Sequence, residues 1–290
     1  MNIHPLPVPT RIAGGEGLVS YASRHAARNG TTVMEVEQAL HQTGAIPRPS
    51  HRRTPERLQA WRHLGALHEH AFAAPAKING AEVIDRALCL RCTQGSGGTG
   101  RIPRIGWICS RHRRWIGAPQ HDIRALPELA AAERHYRRVL APRGALVRTP
   151  IMELARECAL VGTSRNLIAS RAKRALSGLR DMLVYPETVR IARLVTSPSF
   201  NTRMLGPELA QSDRNDLAAR TVAEIIPADK DSEPWRAAHR IADVFNTVAR
   251  DHAKRFWHGG QHRALEPTPR AWAIWGNGHP HPHNPGRGHP

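Results

Sequence analysis

The sequence has no long apolar run and very few lysines. Its apolar stretches fall far short of the roughly 18 to 20 residues that a membrane-spanning helix needs, and Met1–Pro9 has neither the basic nor the apolar part of a secretory signal. We therefore expect no membrane partner and a cytoplasmic location. The four lysines are Lys77, Lys173, Lys230 and Lys254. Because none of them follows a glycine, the P-loop motif of nucleotide hydrolysis is excluded.

The motifs of other common enzymes are incomplete or missing. His68-Glu69 begins the pattern of a zinc protease, but Phe72 stands where the second histidine is required. Gly95–Gly100 satisfies G-x-G-x-x-G, yet no helix opens after it, so we expect a flexible loop. No G-x-S-x-G elbow occurs, and no spaced set of carboxylates stands out. The sequence therefore predicts that the protein is not an enzyme and has no small-molecule substrate.

Carboxylates are scarce relative to basic residues. The chain carries 42 Lys and Arg against 24 Asp and Glu, a formal charge of +18, and residues 1–150 hold 22 of the basic but only 10 of the acidic residues. An excess of this size favours an acidic partner, of which DNA is the first candidate. Since all but four of the basic residues are arginine, the arginine bias of a GC-rich genome is the alternative explanation.

Residues 1–73 are predicted to form an N-terminal helical region. A helix over Glu16–Arg28 is followed, after four residues, by a second helix that the capping-box pair Thr32 and Glu35 opens. A third helix begins at Pro55. Two short helices around a short break are typical of a helix-turn-helix-like arrangement.

One cluster of residues dominates the segment 74–125. Cys89 and Cys92, followed by Cys109 and His112, have the spacing C-x2-C-x16-C-x2-H. Each pair brings two soft ligands to one side of an ion, and two facing pairs complete the tetrahedron that zinc prefers. A disulfide framework is the alternative, but it leaves His112 unexplained and needs an oxidising compartment. We therefore predict a small zinc ribbon with one structural Zn²⁺, because four protein ligands leave no position for water or substrate.

The fourth cysteine and the neighbouring arginines have other predicted roles. Cys158 lies on an apolar helical face and is predicted to be a buried thiol. Arg111, Arg113 and Arg114 surround His112, whose position the ion would fix, so they are candidate contacts to a phosphate or a carboxylate. A solvated rim of arginines is the alternative.

Residues 126–265 are predicted to form a C-terminal helical bundle with a second helix-turn-helix candidate. The first helix of this candidate runs from Pro150 to Gly162. Its second helix is basic and runs from Arg165 to Leu183, with Leu176 in the apolar sector. The candidate nucleic-acid contacts on the polar face of the basic helix are Asn166, Lys173, Arg174 and Arg180. An asparagine in this place could contact an adenine edge.

The end of the chain loses its periodicity. Trp235 is predicted to face inward on the last helix of the bundle, and residues 266–290 read as a disordered tail rich in His, Pro and Gly. The predicted fold is thus mainly α, with N-terminal helix-turn-helix-like helices, a small zinc ribbon and a C-terminal helical bundle.

Three segments carry a resemblance to a known family. Pro5–Pro9, the helical segment Glu16–Gly30, and the C-x2-C pair together with Trp107–Arg113 resemble the TniQ family of transposition accessory proteins. The resemblance covers roughly Pro5 to Trp115. It implies a helical N-terminal region coupled to a zinc ribbon, and it implies that the zinc ligands are Cys89, Cys92, Cys109 and His112.

The resemblance also implies a role in choosing the target of transposition. Members of the family act through DNA or through other DNA-bound complexes, so the expected partners are DNA and a transposition ATPase or transposase. We therefore expect a zinc-binding, DNA-associated accessory protein without catalysis of its own. A protein–protein adaptor for the transposition machinery and a zinc-containing transcriptional regulator are the alternatives.

Overall fold

The computed structural model describes residues 3–49, 52–73, 77–78, 81–206, 208–226 and 230–259. The described chain is mainly helical, as the sequence predicts. It divides into two compact units, of which the first ends at Asp122 and the second begins at Ile123. The predicted tail over residues 266–290 lies outside the described residues. None of the described helices has the length and apolar character needed to cross a membrane.

The described part of the first unit contains three helices followed by two small sheets. The helices are α1 (Leu18–Arg28), α2 (Val33–Gln42) and α3 (Pro55–Leu64). The strands are β1 (Lys77–Ile78), β2 (Ala81–Ala87), β3 (Thr99–Pro103), β4 (Ile108–Cys109), β5 (Arg114–Trp115) and β6 (His121–Asp122). All pairings are antiparallel, in the orders β1-β2-β3 and β4-β5-β6. We call residues 81–122 the Cys/His module.

The starts of α2 and α3 follow from their capping residues. Thr32 Oγ1 accepts a hydrogen bond from Glu35 N at 3.2 Å, and the Glu35 carboxylate accepts one from Thr32 N at 2.8 Å, so the predicted capping box is confirmed. Thr54 Oγ1 accepts from Arg57 N at 3.3 Å ahead of Pro55. A cap of this kind stabilises a helix by about 1 kcal/mol.

The three helices enclose a core around the fully buried Trp61. The apolar side chains of Tyr21, Val36 and Leu40 are buried in the same cluster. Trp61 Nε1 donates to Glu37 Oε1 at 3.0 Å, which gives the buried indole N–H an acceptor. Burial of one such aromatic side chain contributes about 3 kcal/mol.

A buried polar network joins α1 to β3. Glu16, which is 2% exposed, accepts hydrogen bonds from Ser20 Oγ at 2.8 Å and from Arg24 Nε at 2.8 Å. Ser20 Oγ in turn accepts from Thr99 N at 3.1 Å, and Gly17 N donates to Thr99 O at 3.2 Å. The start of α1 and the first residue of β3 therefore share backbone and side-chain hydrogen bonds, and they belong to one compact unit.

The predicted flexible loop over Gly95–Gly100 is wrong at its C-terminal end. Thr99 and Gly100 begin β3 and pair with Ala87 and Arg86 of β2. A Cβ at Gly100 would lie 2.6 Å from Gly15 O, so close approach of two backbones requires glycine at this position.

The described part of the second unit is helical. Its α-helices are α4 (Pro127–His135), α5 (Pro150–Gly162), α6 (Arg165–Ala175), α7 (Arg180–Leu183), α8 (Tyr185–Val195), α9 (Pro198–Met204), α10 (Gln211–Ile225) and α11 (Pro234–Gly259). A π-helical turn (Tyr136–Leu140) and a 3-10 turn (Ala141–Arg143) follow α4. Helix α8 packs against α4 and α5, while α11 packs against α5 and α10.

The predicted basic helix is shorter than the sequence suggests. It ends at Ala175, because Leu176 adopts a left-handed conformation with φ +49° and Gly178 follows. Leu176 is 91% exposed, so its predicted place in the apolar sector is wrong.

The predicted inward position of Trp235 is also wrong. This residue lies in the first turn of α11 and is 55% exposed. Its ring contacts the His239 ring at a centroid distance of 5.9 Å, and the Arg236 guanidinium lies 5.2 Å from its centroid. Local contacts of the helix surface take the place of the core packing that periodicity predicts.

An ion pair anchors α6 to α8. Arg171 is the one α6 residue that is buried, and its guanidinium donates to both Glu187 oxygens, at 2.6 and 3.0 Å. Both side chains are at most 5% exposed. The Arg171 guanidinium also donates to Leu183 O at 2.6 Å. The orientation of α6 therefore depends on a buried charge pair more than on apolar packing.

We predict that Glu187→Ala lowers the free energy of unfolding by about 3 kcal/mol, because it removes the bidentate partner of the buried Arg171 guanidinium and leaves only its longer contact to Glu128, 3.4 Å from Nε. Urea unfolding followed by circular dichroism measures the effect. The control is Glu153→Ala, whose partner Arg156 lies on the surface, and this variant is expected to cost about 1 kcal/mol or less. Equal losses for the two variants would contradict the anchoring role.

Candidate metal centre

The predicted ligands come from two turns of the first unit. Cys89 lies two residues after β2, and Thr93 N donates to its carbonyl at 3.1 Å, so the chain curls back and brings Cys92 beside it. Cys109 ends β4, and His112 lies in the turn between β4 and β5. The antiparallel β4–β5 ladder closes that second turn.

The four potential ligand atoms converge. All lie within 4.8 Å of one another. His112 Nδ1 is 3.6 Å from Cys89 Sγ, 3.2 Å from Cys92 Sγ and 3.8 Å from Cys109 Sγ, and the last two sulfur atoms are 3.8 Å apart. Cys89 is buried, whereas Cys92 and Cys109 are partly buried. The two ligand pairs, which sixteen residues separate in the sequence, therefore lie together in the structure and could hold one metal ion.

The crowding of the thiols affects their ionisation. Burial, and then the neighbouring Cys109 thiol, raises the pKa of Cys92 to about 12. A thiol must lose its proton to become a metal ligand, so the binding of a cation here releases protons and weakens as the pH falls.

The side-chain amide of Gln120 binds the backbone of the turn that carries Cys89 and Cys92. Its Oε1 accepts from Leu90 N at 2.9 Å, and its Nε2 donates to Leu88 O at 2.7 Å. These two backbone groups flank Cys89, so one side-chain amide fixes the chain on both sides of a ligand. Gln120 immediately precedes β6, and it thereby ties the Cys89–Cys92 turn to the β4-β5-β6 sheet.

A cluster of aromatic rings supports the second turn. Trp107 and Trp115 stack with a centroid distance of 5.5 Å and an interplanar angle of 13°. The Arg86 guanidinium lies 5.5 Å from the Trp107 ring and donates to Pro103 O at 3.1 Å. Strands β2 and β5 and the residue just before β4 thus contribute to one packed cluster next to the turn that carries His112.

The predicted arginine contacts around His112 fall into two kinds. Arg111 and Arg113 are exposed, and within the described residues neither forms a hydrogen bond or ion pair. Arg114 is only partly exposed and donates to Gln120 O at 3.3 Å, so it has a place in the interior of the module. Arg91, which the sequence did not single out, is exposed and without a partner in the described chain.

The contacts predicted for the basic helix are mostly engaged within the second unit, and one of them, Arg180, lies in α7 and not on α6. Asn166 Nδ2 donates to Asp231 Oδ2, Arg174 pairs with Glu128, and Arg180 donates to the Leu160 carbonyl at 3.5 Å. Lys173 is exposed and has no partner among the described residues. These four side chains do not form one set of free donors.

Cys158 is not one of the four clustered residues. It is fully buried in α5 and its thiol contacts the Ala237 carbonyl at 3.6 Å. Burial raises the pKa of Cys158 to about 12. The predicted buried thiol is confirmed.

Sequence reasoning missed Gln120 and Arg91. Nothing in the periodicity or spacing marks Gln120, because its role depends on a long-range return of the chain to residues 88–90. For Arg91 a signal was present: it occupies the place in C-x2-C that Arg111 occupies in C-x2-H.

No protein-family model matches the chain, and neither a curated protein nor a solved structure matches it.

We predict that Gln120→Ala weakens the binding of Zn²⁺ about 10- to 100-fold, because the turn that carries two ligands loses its outer support. Competition with a chromogenic chelator measures the affinity. The Zn²⁺ affinity of Gln120→Glu should lie between those of the wild type and Gln120→Ala, because its carboxylate can still accept from Leu90 N but cannot donate to Leu88 O. The control is Gln38→Ala on the exposed face of α2. An unchanged affinity in folded Gln120→Ala would contradict this role.

Proposed function

We propose that this chain is a zinc-binding, DNA-associated accessory protein of DNA transposition that performs no catalysis itself. The observation that carries the proposal is the convergence of three cysteines and one histidine within 4.8 Å in a chain of net charge +18. The resemblance of residues 5–115 to the TniQ family supplies the transposition context.

The spacing of the ligand atoms supports zinc as the ion. In a tetrahedron with bonds of about 2.3 Å to sulfur and about 2.0 Å to nitrogen, two sulfur atoms lie about 3.8 Å apart and sulfur lies about 3.5 Å from nitrogen. The Cys92 and Cys109 sulfur atoms are 3.8 Å apart, and His112 Nδ1 lies 3.2 to 3.8 Å from the three sulfur atoms. Three thiolates and an imidazole also suit zinc better than the hard cations.

The role of this ion is structural. Four protein ligands complete the coordination shell and leave no position for a substrate. The Cys/His module is small, and its β4, β5 and β6 strands are each two residues long, so their ladders supply few hydrogen bonds. An ion of this type contributes on the order of 10 kcal/mol to folding in comparable modules.

The charge distribution supports DNA as a partner. Residues 158–180 contain no Asp or Glu, and they include α6, whose exposed side chains include Arg165, Lys173 and Arg174. Helix α6 follows α5 after a two-residue turn, and Ser164 Oγ caps it by accepting from Leu167 N at 3.3 Å. We propose that this basic helix contacts the DNA backbone as the second helix of a helix-turn-helix. Arg174 would then exchange Glu128 for a phosphate.

Two exposed apolar side chains favour a second candidate function. Leu176 is 91% exposed just after α6, and Trp235 is 55% exposed at the start of α11. A partner protein that covered them would remove their apolar surface from water, which favours association. The second candidate is therefore an adaptor that docks a protein of the transposition machinery, with DNA contact incidental.

We predict that the purified chain contains one zinc ion per molecule, measured by elemental analysis against protein concentration. Cys109→Ser should reduce this ratio well below one, because it removes one of the four ligands. The matched control is Cys158→Ala, which removes a cysteine outside the cluster and should retain the full ratio. A chain purified without zinc, or equal zinc loss in both variants, would contradict the proposal.

We predict that the chain binds duplex DNA with a slope of log K against log salt near −4 to −5, as expected when about five phosphates are neutralised. Fluorescence anisotropy over a salt series measures it.

The double variant Arg165→Ala/Lys173→Ala should make the slope shallower by about 2. The control Arg203→Ala/Arg220→Ala removes the same charge from exposed parts of α9 and α10. A flat salt response would contradict DNA association, and a partner protein retained after nuclease treatment would then favour the adaptor.

A further inference from the structure

Three exposed arginines belong to the two turns that carry the metal ligands. Arg91 lies between Cys89 and Cys92, Arg111 lies between Cys109 and His112, and Arg113 follows the histidine. We call them the knuckle arginines. All three are exposed, and within the described chain none forms a hydrogen bond or an ion pair. Their charges are therefore not compensated by any described side chain in contact with them.

The metal centre fixes the backbone from which these arginines project. Arg91 immediately precedes Cys92, and Arg111 and Arg113 flank His112. Cys92 Sγ and His112 Nδ1 lie only 3.2 Å apart. The two turns therefore come together at this pair of ligands, and the arginines beside them start from neighbouring points of the surface. Such a cluster of guanidinium groups suits oxyanions, to which each can donate two parallel hydrogen bonds.

The surroundings of the knuckle arginines contain few acids. Residues 87–121 include no Asp or Glu at all. Arg28, at the end of α1, donates to Gln94 Oε1 at 2.7 Å, which brings a further cation beside the turn that leaves Cys92. Like charges gathered without carboxylates repel one another, and a bound polyanion relieves that repulsion.

We propose that the knuckle arginines form a site for the phosphodiester backbone of duplex DNA, ordered by the metal centre. This inference rests on the proposed function and adds to it a set of contacts on the first unit, whereas α6 belongs to the second. Among the described residues, the large apolar side chains that are exposed are Val8, Val19, Met34, Leu176 and Trp235. None of them lies in the Cys/His module, so its described residues lack the fully exposed large apolar side chains that insert into a lipid layer.

The site recognises the charge of the phosphate backbone and not the base sequence. The knuckle arginines lie on turns, and no helix among residues 81–122 carries them into a groove. Their contribution should be equal for duplexes of different sequence and should depend steeply on salt.

The test compares two triple variants in the full chain. Arg91→Ala/Arg111→Ala/Arg113→Ala removes the knuckle arginines, and Arg193→Ala/Arg203→Ala/Arg220→Ala removes the same charge from exposed helical positions of the second unit. Anisotropy with a 30-base-pair duplex over a salt series gives the slope for each. The knuckle variant should have a slope shallower by about 2.7 than the wild type, at 0.9 per phosphate. The control variant should change the slope by less than about 1. Zinc content at the wild-type ratio shows that the knuckle variant has kept its fold.

The outcomes separate this inference from the proposed function. If the wild type binds the duplex and the knuckle variant has the slope of the control, the knuckle site is overturned while DNA association through α6 stands. If the wild type does not bind the duplex, the proposed function fails together with the site. If the knuckle variant instead loses binding only to vesicles that contain anionic lipid, the arginines serve a membrane surface and the proposal is overturned.

Discussion

Convergence of Cys89, Cys92, Cys109 and His112 organises the whole Cys/His module. Each strand from β4 to β6 is only two residues long, and such short ladders do not hold themselves together in water. What joins them to the rest of the unit is the meeting of two turns at one point, reinforced by the amide of Gln120 and the stacked Trp107 and Trp115 rings. A chain with few large apolar residues in this region needs a centre of that kind.

The interior of the protein accommodates arginine by pairing it with glutamate. Arg24 with Glu16, Arg57 with Glu37, and Arg171 with Glu187 are pairs whose side chains are nearly or fully buried. Each pair serves a different junction: the start of α1, the contact of α2 with α3, and the attachment of α6. Each buried pair removes one cation and one carboxylate from the surface, so the net surface charge is unchanged while the ratio of basic to acidic side chains there rises.

Much of the architecture could be predicted from local signals in the sequence. The capping box at Thr32, the Pro55 start of α3 and the C-x2-C-x16-C-x2-H spacing each depend on residues close in sequence or on rigid ligand chemistry, and the structure has the corresponding features. The failures depend on tertiary context. Helical periodicity placed Leu176 in a core, but the left-handed backbone at that residue ends α6, and Trp235 packs on its own helix. No periodic pattern could reveal Gln120, because the groups it binds lie thirty positions away.

The hydrogen bonds between α1 and β3 affect how the protein can be divided into fragments. Thr99 N, Thr99 O and Arg101 N all have their partners at Gly15, Gly17 or Ser20. A fragment that starts at residue 74 would retain every metal ligand, yet it would leave one edge of β3 unpaired and open to another chain. We therefore expect the helices and the Cys/His module to unfold together, and a recombination that separates them would uncover the edge of β3 that residues 15–20 occupy.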